Sequence, residues 1–311
     1  MLSIAPFEPS HVTEAAALAA AHVGALCEQV PLIPERWTAP EAYLERLADL
    51  ADRNPAAVAV DDGRVVGYLA AMRLDWALGR WAFSPEWANV CSGPHARLAR
   101  ENLYAELAGQ WVDEDRRAHF VSLLPNDTTA LETMAWLGFG VTNVDGLRGV
   151  EPLSSEGAAA VDVVRAGPSD QQAVNVLEQG LRDHLAATPL FLHFPPPDPG
   201  NLEAILADPH TATLLATDVR GPLAFLRIGP ASSDASTIIR DEKTASITRA
   251  FTRPDRRGEG VAAALLDAAL AWARDAGYRR SAVDFESANL LARRFWPRHF
   301  EIVGLTVGRR L

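Results

Sequence analysis

The stretch Ile247–Gly277 decides the fold of this chain. It begins ITRAFTRPDRRGEGVA, residues 247–262, and continues as a run rich in alanine and leucine. The first residues predict a strand, Pro254 ends that strand, and the polar turn 256–260 leads into a helix. Apolar residues then recur at helical spacing, and Gly277 predicts the helix end. The recurring positions are Val261, Leu265, Ala269, Trp272 and Ala276.

A glycine-rich turn that leads into a helix predicts an anion-binding site. The first N–H groups of a helix have no intrahelical partner and lie at the positive end of the helix dipole. Gly258 and Gly260 carry no side chain, so a phosphate can approach the main chain closely. Arg256 and Arg257 add positive charge beside the turn.

This turn resembles the acetyl-CoA pyrophosphate loop of the GCN5-related N-acetyltransferases, the GNAT family. The family pattern is Gln/Arg-x-x-Gly-x-Gly/Ala at the start of a helix, and the chain reads RGEGVA at residues 257–262. The resemblance implies acetyl-CoA as co-substrate and an amine of a small molecule as acceptor. It also implies that the loop and the strand before it bind acetyl-CoA. The implied contact residues are Ala250, Phe251, Thr252, Arg256, Arg257, Gly258, Glu259, Gly260, Val261 and Ala262.

The segment NLLARRFW, residues 289–296, resembles the last helix of the same family. The family pattern there is Asn-x-x-Ala-x-x-Phe-Tyr followed by Gly-Phe, and the resemblance implies contacts with the pantetheine arm of CoA. Three positions match, namely Asn289, Ala292 and Phe295. Trp296 stands where the family often has a tyrosine acid, and His299 replaces the glycine. Because an indole N–H is no practical acid, the thiolate leaves unprotonated or another group protonates it.

The resemblance implies direct attack of an amine on the acetyl thioester, which requires a base and an oxyanion donor. We expect Glu286 to be the base, with Asp284 and Glu242 as alternatives. We expect the backbone N–H of Phe251 to stabilise the oxyanion. Each of these carboxylates also fits an ordinary solvated position at a strand end.

The segment 186–197 is rich in proline and aromatic residues and comes after the first helix of the second half. In the GNAT family this place carries the acceptor-binding loop, and such loops often determine specificity. We therefore expect Phe191, His193 and Phe194 to line an apolar acceptor pocket. A cover over the core fits the same segment equally well.

The chain repeats weakly at a distance of about one α/β domain. Hairpin turns occur at Asp62–Arg64 and Asp218–Gly221, and Asn126 and Asn289 each precede a short helix. We predict an α/β chain of two tandem GNAT-like domains, each a mostly antiparallel mixed sheet flanked by helices, in an arrangement similar to that of mycothiol synthase. The predicted domains are residues 1–150 and 158–311, with a linker within Glu151–Gly157. One predicted strand covers Val65–Arg73, and a predicted closing strand covers Glu301–Val307.

The two halves differ before the long helix. The first half reads VCSGPHAR at residues 90–97, with a single glycine and no Arg-x-x-Gly-x-Gly/Ala pattern. Pro94 removes one N–H from the place that would bind an anion. We predict that the C-terminal half is the active one and that the first half is a degenerate copy that supports it. A plain structural domain is the alternative for the first half.

Composition limits the classes of partner. The net charge of −11 argues against nucleic acid, whose phosphates require basic surfaces. Two cysteines fit a reducing compartment, and neither a signal segment nor a membrane-spanning apolar stretch is seen in the sequence. No His/Cys spacing suggests a metal. We expect a cytoplasmic monomer or homodimer that binds neither membranes nor metal.

Two other functions fit parts of the sequence. Gly258-x-Gly260-x-x-Ala263 matches the dinucleotide fingerprint, with Asp284 at the usual distance. A polar loop separates these glycines from the strand, however, and too few residues remain after them for a doubly wound sheet. A non-catalytic module that senses acyl-CoA is the second alternative, because the expected tyrosine is replaced by Trp296.

Overall fold

A computed structural model describes residues 1–76, 79–153, 161–195, 199–219, 221–233 and 235–311. Residues 154–157 of the predicted linker lie outside these ranges. The chain forms two compact units. Unit 1 comprises Met1–Asp145, Ser236–Ile239 and Glu301–Leu311, and unit 2 comprises Gly146–Ala235 and Arg240–Phe300.

Helices and strands alternate along both units. The helices are α1 (Val12–Cys27), α2 (Glu41–Arg53), α3 (Ala96–Asp113), α4 (Thr128–Trp136), α5 (Gln171–Ala186), α6 (Pro199–Ala207), α7 (Val261–Asp275) and α8 (Leu290–Phe295). The strands are β1 (Ser3–Pro6), β2 (Ala56–Asp61), β3 (Arg64–Ala70), β4 (Met72–Trp76), β5 (Gly79–Ser84), β6 (Asn89–Cys91), β7 (Ala118–Leu123), β8 (Gly140–Gly149), β9 (Asp162–Arg165), β10 (Ala212–Asp218), β11 (Gly221–Pro230), β12 (Thr244–Thr252), β13 (Arg280–Glu286) and β14 (Glu301–Arg310). The predicted mixed α/β fold class is confirmed. No helix among the described residues combines the length and apolar character needed to span a bilayer.

In unit 1, β1, β2, β3 and β6 form an antiparallel sheet in that order. A second group of strands pairs side by side in the order β4-β5-β7-β14. Within this group, β5 runs parallel to β7. The helix α3 packs mainly on β2, β3 and β6, and Leu103, Leu107 and Trp111 lie on its buried side. Unit 1 therefore has its own core.

In unit 2 the strand order is β13-β12-β11-β10-β9. Only the pair β12 and β13 is parallel, and the other neighbours are antiparallel. Phe225 and Phe251 of the sheet pack with Val174 and Leu177 of α5. A Cβ atom at Gly180 would lie 2.7 Å from the Phe251 ring, so this glycine lets α5 approach β12 closely.

The predicted strand Val65–Arg73 is wrong, because the structure divides it into β3 and β4 at Ala71. The hairpin partner β5 and the short strand β6 were not predicted at all. Both are brief, and β6 has only three residues, which is too short for an alternating pattern to be recognised. The helix predicted after Gly260 is present as α7, and those predicted after Asn126 and Asn289 are present as α4 and α8.

The units also differ from the expected domain boundaries. Residues 301–311 belong to unit 1, where β14 pairs with β7 from Leu305–Leu123 to Arg310–Ala118. Ser122 Oγ and Thr306 Oγ1 share a 2.8 Å hydrogen bond within this pair. A repeat in the sequence shows that a strand exists but cannot show which strand pairs with it.

The short segment Ser236–Ile239 also belongs to unit 1. The Ser236 and Ile238 N–H groups donate to Asp145 Oδ1 and Glu86 Oε1, each at 3.0 Å. The Trp87 Nε1–H donates to Thr237 Oγ1 at 3.3 Å. These buried hydrogen bonds fix a segment that the sequence pattern left unassigned.

Candidate active site

The glycine turn of unit 2 has the geometry of an anion-binding helix start. Gly258 and Gly260 both adopt left-handed backbone conformations, with φ of 81° and 80°. Gly260 caps α7, no side chain caps the helix, and its C=O accepts the Ala264 N–H at 3.1 Å. The preceding amides of Val261, Ala262 and Ala263 therefore point out of the helix start.

These amides face a cavity of about 620 Å³. Gly258, Gly260 and residues 261–263 line one end of it. A Cβ atom at Gly258 would meet nothing within 4 Å, so the space above the turn is open. The volume falls in the range of small-molecule sites, and a phosphorylated ligand fits this end.

The two arginines of the turn differ in their partners. Arg256 Nη1 lies 2.6 Å from Asp218 Oδ2 and its Nε lies 2.9 Å from Glu259 Oε2. The hydrogen bond to Asp218 raises the pKa of Arg256, and the charge of Glu259 raises it further. The charge of Arg256 is thus compensated within the protein. Glu259 is exposed and does not line the cavity.

Arg257 forms no ion pair with any described residue. Its Nε–H donates to the C=O of Thr252 at 3.1 Å, and its guanidinium lies 5.7 Å from the Phe251 ring centroid. Burial lowers the pKa of Arg257 below its ordinary value. Arg257 therefore supplies the uncompensated positive charge at this end of the cavity.

The cavity opens where two parallel strands separate. The pairing of β12 with β13 ends at Ile247 and Val283. Thr248 is an extra residue in β12, because Arg249 is opposite Arg227 whereas Ile247 is opposite Ile228. Residues 248–252 and 284–286 lie beyond the last pair and line the cavity. We call the region around Ile247 and Val283 the closed end.

The register of β12 corrects the expectation for Phe251. The Arg253 N–H donates to the C=O of Leu223 at 3.0 Å, and donors alternate along an antiparallel strand. The N–H of Phe251, two residues earlier, therefore points to β11, whereas the N–H groups of Ala250 and Thr252 point away from β11 into the gap. Thr252 C=O also points into the gap, because it accepts from Arg257. Ala250 thus replaces Phe251 as the candidate oxyanion donor.

The opposite wall is formed by α8 and the turn after it. Asn289 caps α8, and its Oδ1 accepts from the Ala292 N–H at 3.3 Å and lies 3.3 Å from His184 Nε2 of α5. Ala292 and Phe295 line the cavity. Trp296 is buried and packs edge-on against Phe300.

The turn after α8 returns to the closed end. A Cβ atom at Gly146 would lie 2.9 Å from Phe300 Cβ and 3.4 Å from Val283 Cγ1. Phe300 therefore lies beside Val283, at the closed end of the cavity. Arg298 and His299 precede Phe300 and line the cavity. Burial lowers the pKa of His299, and the charges of Arg148 and Arg298 lower it further. His299 is therefore a neutral imidazole at pH 7.

The candidate bases do not all reach the cavity. Glu286 and Asp284 line it, and their side chains share one face of β13 because they are two residues apart. Glu242 is exposed and is not a lining residue. Glu286 also fixes the start of α8, since its C=O accepts the Asn289 N–H at 2.9 Å.

The three expected acceptor residues do not line this cavity. Phe191 and Phe194 are 64% and 45% exposed, and His193 is also exposed. The neighbouring residues Leu190 and Leu192 pack on the unit 2 core instead. The aliphatic side chains of the segment thus turn inward and its aromatic side chains turn outward. Residues that the sequence reasoning missed line the cavity in their place: Leu181, His184, Leu185, Thr248, Arg249 and His299.

The corresponding helix start in unit 1 offers fewer free amides and adjoins a much smaller cavity. Pro94 lacks an N–H, and the Ala96 N–H is bonded to the C=O of Gly93 at 3.2 Å. The cavity beside α3 has about 10 Å³. Arg100, 5% exposed, lies in its wall and binds Asn89 Oδ1 at 3.1 Å and Asp127 Oδ2 at 3.3 Å. No group of three or more potential metal ligands occurs among the described residues of either unit.

Comparison with known proteins agrees with this geometry. The model of the acetyltransferase (GNAT) family matches residues 179–300. None of the curated proteins matches the chain in sequence. The match lies within the second half of the chain and supports an acyltransferase of the GNAT type there.

Solved structures show the fold of the whole chain. A GCN5-related N-acetyltransferase from Sphaerobacter thermophilus aligns with a TM-score of 0.62 and 14% identity, over 99% of this chain and 95% of that one. A GCN5-related glucosamine N-acetyltransferase region of a fungal β-N-acetylglucosaminidase aligns with a TM-score of 0.50 and 12% identity, over 99% of this chain and 38% of that one. A tandem GNAT protein from the clavulanic acid biosynthesis pathway has a TM-score of 0.48 and 14% identity, over 100% and 98% of the two chains. The first of these alignments covers both halves of the chain, so both halves share the GNAT fold.

Proposed function

We propose that unit 2 transfers an acetyl group from acetyl-CoA to the amine of a small molecule, and that unit 1 carries no second active site. The observation that carries this proposal is the contrast between the two helix starts. The start of α7 has free amides beside a cavity of about 620 Å³, whereas the start of α3 adjoins a cavity of about 10 Å³.

The residues of unit 2 divide the binding of acetyl-CoA among them. The amides from Gly258 to Ala263 and the guanidinium of Arg257 would hold the diphosphate. The gap between β12 and β13 would hold the pantetheine arm, with Asn289 and Ala292 on the α8 side. The thioester would then lie toward the closed end, because the arm extends from the turn along β12.

The chemistry requires a C–N bond to form, a C–S bond to break and the amine to lose its proton. We assign the proton acceptor to Glu286, with Asp284 on the same face of β13 as the second candidate. The N–H of Ala250 would stabilise the oxyanion of the tetrahedral intermediate. The thiolate leaves without a tyrosine acid, since Trp296 is buried and offers only an indole N–H.

Calorimetric titration with acetyl-CoA, followed by thiol-release assays with a panel of small amines, tests the proposal. We expect saturable binding and amine-dependent release of CoA. The Gly260→Asp variant places a side chain and a negative charge at the start of α7, so we expect it to abolish binding while the circular dichroism spectrum is retained. Unchanged acetyl-CoA affinity in this variant would contradict the assigned site.

A second outcome concerns the role of the site. Binding of acetyl-CoA with no release of CoA for any amine in the panel would favour an acyl-CoA-sensing module over a transferase. The tandem arrangement resembles that of mycothiol synthase, but no described residue singles out the acceptor of that enzyme.

A further inference from the structure

We propose that His184 is a positioning residue for acetyl-CoA, because it fixes the Asn289 side chain beside the pantetheine arm. The inference rests on the proposed acetyl transfer and adds to it a residue that the sequence motifs do not contain. It depends on the contacts of Asn289, on the cavity that both residues line, and on a matching set of contacts in unit 1.

The orientation of the Asn289 carboxamide is set by the helix that it caps. Its Oδ1 accepts the Ala292 N–H at 3.3 Å, and only the oxygen of a carboxamide can accept from that donor. The same Oδ1 lies 3.3 Å from His184 Nε2. Because an amide oxygen only accepts, His184 Nε2 carries the hydrogen of this bond. His184 therefore donates to Asn289 from α5.

These two hydrogen bonds leave the other end of the carboxamide for a ligand. Asn289 Nδ2 donates to no residue within the described ranges, and Asn289 lines the cavity. The pantetheine arm contains amide carbonyl groups, which accept hydrogen bonds. Nδ2 can donate to one of these carbonyl groups while Oδ1 keeps both of its partners in the protein.

The bond from His184 orders the carboxamide before the ligand arrives. His184 is half-buried and lines the cavity, so it connects α5 to the start of α8 at the cavity wall. A side chain that is already held in its binding orientation loses less conformational entropy when the ligand binds. The histidine thus increases the affinity for the arm through Asn289.

Unit 1 contains the same pair of contacts. Asp127 caps α4 by accepting the Ala130 N–H at 2.8 Å, and its Oδ2 lies 3.6 Å from His22 Nε2 of α1. The cap follows the histidine by 105 residues in unit 2, and by the same number in unit 1. The contact between a histidine and the cap of a later helix is therefore part of the repeated plan.

The two units differ in what else the cap contacts. In unit 1, Arg100 of α3 provides a further partner, with its Nη2 3.3 Å from Asp127 Oδ2. In unit 2, α7 has no positively charged side chain before Arg274, and the cap is an amide with donor hydrogens. A carboxylate suits a guanidinium, whereas an amide N–H suits a carbonyl group. The protein supplies the extra partner in unit 1, and a ligand can supply it in unit 2.

Acetyl-CoA and ADP test the inference, because ADP contains the diphosphate but lacks the pantetheine arm. Calorimetry measures the dissociation constant of acetyl-CoA, and competition against acetyl-CoA measures that of ADP. His184→Phe keeps a ring but loses the donor, so we expect acetyl-CoA affinity to fall about three- to tenfold and ADP affinity to stay within about twofold. His184→Gln retains an N–H donor and should restore most of the affinity. Equal losses for both ligands, or none for acetyl-CoA, would overturn the inference.

A second substitution tests whether His184 acts through Asn289. Asn289→Asp keeps the helix cap and the acceptor for His184 but removes the Nδ2 donor, so acetyl-CoA should bind about tenfold more weakly. Adding His184→Phe should then weaken binding by less than about twofold, because the group that the histidine positions is already lost. Full additivity of the two losses would contradict a positioning role.

His22→Phe is the matched control, since it removes the equivalent contact in unit 1. It should leave the affinity for both ligands unchanged, and a loss as large as that in His184→Phe would mean that general destabilisation explains both. Unchanged acetyl-CoA affinity and normal thiol release in His184→Phe would refute this inference and leave the acetyl transfer intact. A protein without substitutions that binds no acetyl-CoA would refute the proposed function and this inference with it.

Discussion

The start of α3 in unit 1 and the start of α7 in unit 2 are the same element of a repeated plan with opposite properties. Gly93 and Gly260 have nearly the same φ, 79° and 80°, so each backbone makes a similar left-handed turn before its helix. The difference lies in the residues after the glycine, because Pro94 lacks an N–H, whereas Val261 and Ala262 present theirs. A shared turn is therefore not enough to make a binding site.

The neighbouring strands show the same contrast. In unit 2 the space beside β12 stays open beyond Ile247. In unit 1 the Asn89 side chain bridges from β6 to the C=O of Ser122 in β7 at 3.0 Å, and Arg100 binds the amide oxygen of Asn89. Polar side chains that bind one another thus fill the place where unit 2 has a cavity. Four predictions test this contrast, beginning with the largest effect.

The largest effect is expected when the buried arginine of unit 1 is removed. Arg100→Leu leaves Asp127 without its arginine partner and should lower the free energy of unfolding by about 3–5 kcal/mol. Arg97→Leu, one turn earlier on α3, removes only exposed ion pairs with Glu101 and Glu132 and should cost less than about 1 kcal/mol. Urea unfolding measures both values. Equal effects of the two substitutions would mean that the buried contacts of Arg100 do not stabilise unit 1.

The two matched glycines give the second prediction. Gly260→Ala and Gly93→Ala each force alanine into a left-handed conformation, which costs about 1–2 kcal/mol. We expect only Gly260→Ala to weaken acetyl-CoA binding, by about tenfold, because only that turn would hold the diphosphate. Calorimetry with acetyl-CoA measures the dissociation constants. A similar loss in Gly93→Ala would end the distinction between the two units.

The third prediction concerns the wall of the cavity. A Cβ atom at Gly180 would lie 2.7–2.8 Å from two atoms of the Phe251 ring. Gly180→Ala should lose about 1–3 kcal/mol to this overlap and regain up to about 1 kcal/mol of helix propensity. The expected result is a small net destabilisation together with a raised KM for acetyl-CoA, since Phe251 borders the gap. Gly109→Ala in α3 is the control, because its Cβ would meet nothing within 4 Å. A stabilised Gly180→Ala variant with unchanged KM would contradict the close packing.

The smallest effect concerns pH and unit 1. Burial lowers the pKa of His119 below its usual value of 6.5. Its Nε2 lies 2.9 Å from Arg116 C=O, so Nε2 carries the hydrogen and Nδ1 accepts from the Tyr104 hydroxyl. The unfolded chain therefore binds a proton before the folded one, and stability should fall as the pH drops below 6.5.

Urea midpoints between about pH 7.5 and 5.5 measure this slope. The His119→Gln variant should show a shallower fall in stability over the same range. A residual slope is expected from His22, since burial also lowers the pKa of that residue. An unchanged slope in the variant would show that His119 titrates alike in both states.

The sequence allowed the fold class and one end of the site to be predicted. The glycines of the turn directly precede α7, and Asn289 directly precedes α8. Local sequence patterns were therefore sufficient to predict them. The side of β12 on which an amide donates depends on its register with β11, which the sequence does not state. For this reason we expected Phe251 from the sequence, whereas the register leads us to propose Ala250 next to it as the oxyanion donor.

The rest of the cavity was harder to predict for a related reason. Arg249, Arg298 and His299 are far apart in sequence or carry no motif, and only the separation of β12 from β13 brings them to one cavity. Phe191 and Phe194 were chosen because aromatic residues in a loop often line pockets. Their segment instead packs Leu190 and Leu192 on the core. An aromatic composition gives no direction to the side chains.

The strand β14 has a consequence for biosynthesis. Unit 1 contains residues from the first part of the chain, yet its strand β7 acquires the partner β14 only from residues 301–310. Domains commonly fold in the order in which they leave the ribosome. Here the earlier unit must wait, with one strand edge uncovered, until residues 301–310 have emerged from the exit tunnel.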